Sequence, residues 1–228
     1  MLNTFFDRIY VISLKSAVDR RRLMAGQLDK LGVDFVFEDA VWLGDINREE
    51  LRDKRLWAYP GNNFCAGTCS CGGLGHVLSD FEIALHLGHY NVWKDIVLSG
   101  YERCLILEDD CIFTEDFSRF SSLDIPDDWQ LLYLGHSEKI NNFNSVEFNS
   151  SFKRLVGGIN ATHIYAVTCE SAKVLVEHTF PIRAAVDGFL AHFMVVNKVL
   201  SNVYICRLNL GLNGSPRGDF QSILSEWS

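Results

Sequence analysis

Apolar and polar positions alternate along the chain in two periods. "RIYVISL" (8–14) and "VDFVFEDA" (33–40) are short, β-branched and apolar, and read as strands. Between them "VDRRRLMAGQLDKLG" (18–32) has a helical period, with Leu23, Leu28 and Leu31 marking its apolar side and Gly32 ending it. A strand, a helix and a strand of these lengths predict a parallel pair joined by a crossover helix. Residues 47–56 predict a short exposed helix. A longer one starts with Ser79 or Asp80 as N-cap and Glu82 in its first turn, and stops at Gly100. Further strands are expected at 103–107, 129–135, 162–168 and 202–206, helices at 170–179 and 186–200, and a polar, Asn-rich surface loop at 136–153. From Leu208 onward no period is evident. With no internal repeat and no low-complexity linker, the expectation is a single α/β domain over 1–228 with a mostly parallel central sheet.

Composition narrows the function. Apolar residues make up 48% of the chain, enough for a sizeable core. The net charge of −8 repels a nucleic-acid backbone, so no nucleic-acid partner is expected, and an anionic substrate must be held by local devices. The first 22 residues are apolar only in short pieces and no stretch approaches 18 consecutive apolar residues, so neither a signal peptide nor a transmembrane segment is expected. Seven scattered cysteines then point to reduced thiols and a cytoplasmic setting.

The chemistry concentrates at "CLILEDDCIF" (104–113), where an apolar strand runs into Glu108, Asp109 and Asp110. Acids at the carboxyl end of a parallel strand lie where open α/β sheets bind ligands. Glu108 and Asp110, separated by one residue, can share one side of an extended chain, and oxygen donors with few other partners suit Mg²⁺ or Mn²⁺. The alternative is a strand end that simply meets solvent.

The surrounding residues resemble glycosyltransferase family 25, which includes lipooligosaccharide-biosynthesis and collagen galactosyltransferases. Its pattern is roughly Glu-Ile-Gly-Cys-x-x-Ser-His-x-x-x-Trp, a dozen residues, then Leu-Glu-Asp-Asp. Glu82, Ile83, His89, Trp93, Leu107, Glu108, Asp109 and Asp110 fall on those places, while Ala84 and Gly88 replace the usual Gly and Ser. "YVISLKSAVDRR" is similar to the family's opening strand, with Asp19 and Arg20 in register and Ser13 where Asn is common. "THIYAVTCESAKVLVEHTFPIRAAVDGFL" resembles its third block, matching at Tyr165, Ala172, Lys173, Pro181 and Asp187. The resemblance covers about residues 8–190, and the tail at 206–228 matches weakly.

This resemblance implies a GT-A-type nucleotide-sugar-binding sandwich, a UDP-hexose donor, a saccharide or protein-hydroxyl acceptor, and inversion at the transferred carbon. In that reading Asp110 and Glu108 hold Mn²⁺ or Mg²⁺, and Ser13, Arg20, Glu82, His89, Glu108 and Asp109 line the donor site. Lys15 stands beside Arg20. Asp187 is the base, with a helix N-cap as its alternative role and His136 as the reserve base; His192 is a further candidate for the metal shell. Read without the family, Glu82, His86 and His89 share a helical face and could ligate a transition metal. Cys65, Cys69, Cys71 and His76 could bind zinc, though free thiols in a Gly-rich mobile lid fit their irregular spacing better. The expected activity is metal-dependent transfer of galactose or glucose from a UDP-sugar. The rivals are a non-catalytic binding module of the same family and a metal-dependent nucleotidyltransferase.

Overall fold

The structure, a computed structural model, describes residues 2–54, 56, 78–136, 144–159 and 162–214. Helices α1 (Leu2–Phe5), α2 (Val18–Lys30), α3 (Arg48–Asp53), α4 (Asp80–Ser99), α5 (Cys169–Thr179) and α6 (Val186–Gly188) surround strands β1 (Arg8–Ser13), β2 (Val36–Asp39), β3 (Arg103–Glu108), β5 (Leu131–Tyr133), β6 (Ser145–Glu147), β7 (Phe152–Leu155), β8 (Ile164–Thr168) and β9 (Val203–Cys206). A small second sheet pairs β4 (Cys111–Phe113) with β10 (Gly211–Asn213).

The eight-stranded sheet has the order β2-β1-β3-β8-β5-β9-β7-β6. The pairs β2–β1, β1–β3 and β5–β9 are parallel, and the other four are antiparallel. Taken together, these senses point six strands one way, with β8 and β7 reversed. The sheet is therefore mostly parallel in direction. The carboxyl ends of β1, β3 and β5 share one edge with the amino end of β8.

The central strands β1, β3, β5, β8 and β9 are buried on both faces and largely apolar, and period-two alternation divides their side chains between two cores. Tyr10, Ile12, Ile106, Tyr133, Tyr165 and Val167 face one core, with Val92, Trp93 and Ile96 of α4 and Leu175 of α5. Ile9, Val11, Leu105, Leu107, Leu132 and Tyr204 face the other, with Met24 and Leu28 of α2.

α4 starts and stops as its sequence dictates. Ser79 and Glu82 form a reciprocal capping box, and Gly100 takes the left-handed conformation that only glycine adopts without strain. α2 departs from expectation, because its inward face is Met24 and Leu28 whereas Leu23 and Leu31 are exposed. Two further expectations are corrected. The stretch read as a loop at 136–153 carries β6 and the start of β7, paired antiparallel at the sheet edge. The helix expected at 186–200 is one short turn, α6, continuing as a π-helical segment, Phe189–Val196. Among the described residues no helix is long and apolar enough to cross a membrane.

Candidate active site

β3 ends at Glu108, and Asp109 and Asp110 form the turn into β4. Strand alternation sends neighbouring side chains to opposite faces. Glu108 continues the row of Cys104 and Ile106 and goes to the α4 side, while Asp109 goes to the α2 side. This settles the adjacency of the acids, because each of these two meets a donor from the helix on its own face.

On the α4 side three buried hydrogen bonds lead to Glu108. Trp93 Nε1 donates to the Tyr165 hydroxyl at 3.0 Å, Tyr165 lies 2.8 Å from His89 Nδ1, and His89 Nε2 lies 3.2 Å from Glu108 Oε1. An indole can only donate, so the Tyr165 oxygen accepts from Trp93. A carboxylate can only accept, so His89 Nε2–H is the donor to Glu108. Thr162, at the amino end of antiparallel β8, gives Glu108 a second hydrogen bond. Burial pushes the Glu108 carboxyl up, but the bonds from His89 and Thr162 outweigh it and hold the group below its ordinary value.

On the α2 side both oxygens of Asp109 are engaged. Ser13 Oγ donates at 2.6 Å and Arg20 Nη1 at 2.8 Å, and all three side chains are largely buried. Burial nonetheless leaves the Asp109 carboxyl above its usual range. Arg21 donates to the Ser13 carbonyl and to Asp39, which also pairs with exposed Lys15.

Asp110 is buried in the turn, and its carbonyl accepts from Gly214 N–H at 2.8 Å. Asp187 is the second residue of α6, and its carboxylate accepts from Gly188 N–H at 2.7 Å. Its carboxyl lies above the ordinary range, first through burial and then through the negative charges of Glu108 and Glu82. Asp187 and Glu108, 79 positions apart in the chain, thus lie close enough for their charges to interact. Tyr133, at the carboxyl end of β5, completes this side; burial and then the charge of Asp187 push its phenol up.

The other expected residues are placed as follows. The Glu82 carboxylate accepts from Ser79 N–H and Oγ in the capping box, so it has a structural task besides its charge. His86 bonds Ala184 while His89 bonds Tyr165 and Glu108, so Glu82, His86 and His89 do not converge on one metal ion. His136 is buried, and its backbone is clamped by Asn209, which accepts from its N–H at 3.0 Å and donates to its carbonyl at 2.7 Å. The side chain of His192 and the Cys-rich stretch with Cys65, Cys69, Cys71 and His76 lie outside the described residues.

Thr162, His163, Asn209 and Gly211 belong to the site without having been expected there. His163 Nε2 donates to the Gly211 carbonyl at 2.9 Å, tying β8 to β10 beneath the acids. In the sequence Thr162 and His163 open the strand expected at 162–168, but only the reversed direction of β8 brings that end to the acids. The tail from Leu208 shows no period because its only strand among the described residues, β10, has three residues, the rest being held by bonds such as Leu210 N–H to the Leu134 carbonyl.

Among the described residues no group of three or more His, Cys, Asp and Glu is arranged as a metal cage. Asp109 does not fit a ligand role, since a guanidinium already occupies it. Glu108 and Asp110 are hard oxygen donors on either side of it. They fit the open kind of site in which Mg²⁺ or Mn²⁺ takes one or two carboxylates and completes its shell with water and substrate phosphate.

The family described as "Glycosyltransferase family 25 (LPS biosynthesis protein)" matches residues 6–190, well over half of the chain. Procollagen galactosyltransferase 1-B of Xenopus laevis is 33% identical over 136 residues, covering 57% of this chain and 21% of the relative. Procollagen galactosyltransferase 2 of Mus musculus is 29% identical over 201 residues, 81% of this chain and 30% of the relative. The human protein named "Inactive glycosyltransferase 25 family member 3" is 30% identical over 141 residues, 58% of this chain and 22% of the relative. The chain thus matches less than a third of the length of these relatives. Among solved structures, a glycosyltransferase involved in glycosylation of the major capsid of PBCV-1 aligns at TM-score 0.44 and 12% identity, over 92% of this chain and 89% of that one. The inositol-1-phosphate CTP transferase of T. maritima aligns at 0.48 and 16%, over 96% and 93%. Both scores are too low to carry an argument.

Proposed function

The chain belongs to glycosyltransferase family 25, and from that premise we propose that it transfers a hexose, galactose or glucose, from a UDP-sugar to a hydroxyl of a saccharide or modified-protein acceptor. The observation that supports this reading is the proximity of Asp187 to Glu108 at the end of β3, close enough for the charge of Glu108 to raise the Asp187 carboxyl.

Glu108 and Asp110 are the residues that would hold Mn²⁺ or Mg²⁺ together with the donor diphosphate. When bound, such an ion supplies Lewis-acid neutralisation of the charge that builds on the departing UDP. Asp109 acts indirectly, keeping Ser13 and Arg20 at the carboxyl end of β1, where the Arg20 guanidinium is set to face the donor. The row Trp93–Tyr165–His89 keeps Glu108 ionised and oriented. Asp187 takes the proton of the acceptor hydroxyl as its oxygen bonds to the anomeric carbon. The bond from that carbon to the diphosphate oxygen breaks, UDP leaves with the electron pair, and the configuration inverts. A carboxylate with a raised pKa is the better base for a weakly acidic hydroxyl.

The test is a panel of nucleotide sugars and nucleoside triphosphates, scored by thermal stabilisation with Mn²⁺ and with EDTA. A ligand that binds only the native state raises apparent stability by mass action. The expected result is stabilisation by UDP-hexoses in Mn²⁺ alone. Stabilisation by a nucleoside triphosphate with none by any nucleotide sugar would overturn the reading in favour of a nucleotidyltransferase. Within the same scheme Asp187→Asn is expected to keep UDP affinity in Mn²⁺ and to slow transfer by about 10²–10⁴-fold, the usual worth of a positioned base.

A further inference from the structure

His86 lies one turn before His89 on α4, at a position the family pattern leaves open. It is fully buried, its ring 4.9 Å from that of Phe189 and 6.1 Å from that of Trp93. Its Nδ1 is 3.0 Å from the Ala184 carbonyl. A carbonyl has no hydrogen to give, so Nδ1–H is the donor. Burial holds the ring's pKa down to about 4, so the imidazole is neutral and Nε2 is bare. Nε2 is buried and has no partner among the described residues. Leaving an acceptor unsatisfied in the interior is costly, and a leucine would fill much of this space without that cost. What the imidazole adds is the single bond to Ala184.

That bond falls where the chain turns towards Asp187. Ala185 is the N-cap residue of α6, and its carbonyl accepts from Phe189 N–H at 2.8 Å. Val186 is buried, Asp187 follows it, and the helix passes directly into the π-helical segment Phe189–Val196. Irregular helix of this kind is often found at functional sites. No side chain caps α6 from its own N-cap position. We propose that His86 is a positioning residue for Asp187, its Nδ1–H bond to Ala184 fixing the point from which the base is presented. The inference rests on the reading of Asp187 as the base. α4 then carries two pins on one face, three residues apart: His89 holds Glu108, and His86 holds the approach to Asp187. A single stiff helix sets the separation of the donor acids and the base.

The test compares His86→Leu, which removes the N–H at similar volume, with His86→Asn, which keeps a donor close to the place of Nδ1. Three quantities are read: the transfer rate, UDP affinity in Mn²⁺, and hydrogen exchange of the Gly188 amide, which bonds the Asp187 carboxylate. In His86→Leu the expected result is a kcat lower by about 10–10²-fold, the scale of a small misplacement of a reacting group. UDP affinity stays at the parent value and Gly188 exchanges faster. His86→Asn restores most of the rate and the protection. Equal behaviour of the two variants, or parental Gly188 protection in His86→Leu, would overturn the proposal. If His86→Leu does not fold, His86→Gln takes its place, since its donor sits near the Nε2 position; equal behaviour of Gln and Asn would be equally fatal. Parental transfer by Asp187→Asn would remove the base reading instead, and the Gly188 exchange result separates that failure from this one.

Discussion

In the proposed scheme Asp187 is the base, and its carboxyl is tuned by its surroundings. Burial raises its carboxyl first, and Glu108 and Glu82 add to the effect. A base works only when deprotonated, so activity is lost as pH falls through this raised pKa. The acid limb of kcat/KM is therefore expected above the ordinary aspartate value of about 3.9. Glu82 offers a clean way to move it. Glutamine serves as well as glutamate in a capping box, so Glu82→Gln keeps the start of α4 while removing one negative charge. The acid limb should move to lower pH with the melting temperature nearly unchanged. A limb that stays in place in the stable variant would show that another group titrates. Glu82 was legible from sequence as a first-turn helix acid. Its electrostatic reach to Asp187 was not, because nothing in a linear pattern reports the proximity of residues 82 and 187.

At the scale of elements, the strand period explains the acids better than it was used to predict them. Glu108 and Asp110 were expected on one side of an extended chain, but the strand ends at Glu108, and it is the neighbours Glu108 and Asp109 that part to opposite faces. Sequence located β8 because alternation marks a strand. It did not give the direction, since a period of two reads the same both ways, and the reversed sense is what delivers Thr162 and His163 to the acids. The close approach of β5, β8 and β10 depends on Gly135. A Cβ there would lie 2.4 Å from Ile164 Cγ2, 2.5 Å from the Gly211 carbonyl oxygen and 2.5 Å from His163 Nε2. Gly135→Ala is therefore expected to destabilise by about 1–3 kcal/mol, since a branched side chain and backbone must both shift. Urea titration measures this directly, and a midpoint within error of the parent would contradict the packing described. The same substitution should weaken donor binding, because His163 and β10 brace the turn that carries Asp110.

At the scale of the whole molecule, three separated blocks of sequence meet at one edge of one sheet: Ser13 and Arg20 from the first, Glu108 to Asp110 from the second, Tyr165 and Asp187 from the third. The blocks were legible through their resemblance to the family pattern, and the strands within them through their apolar runs. The tail was not, because Asn209 acts through its side-chain amide and Gly211 through its carbonyl, and neither leaves a hydrophobic period. A chain of net charge −8 offers a nucleotide no long-range attraction, so in the proposed scheme donor binding is expected to depend on Arg20 and on an added cation. The most direct measurement is the rate of UDP release from UDP-galactose and UDP-glucose in Mn²⁺, repeated in EDTA and with Asp110→Asn. The account expects release from at least one of the two sugars in Mn²⁺, falling to background in EDTA and in the variant. Release that is equal in EDTA, or that proceeds at the parental rate in Asp110→Asn, would contradict it.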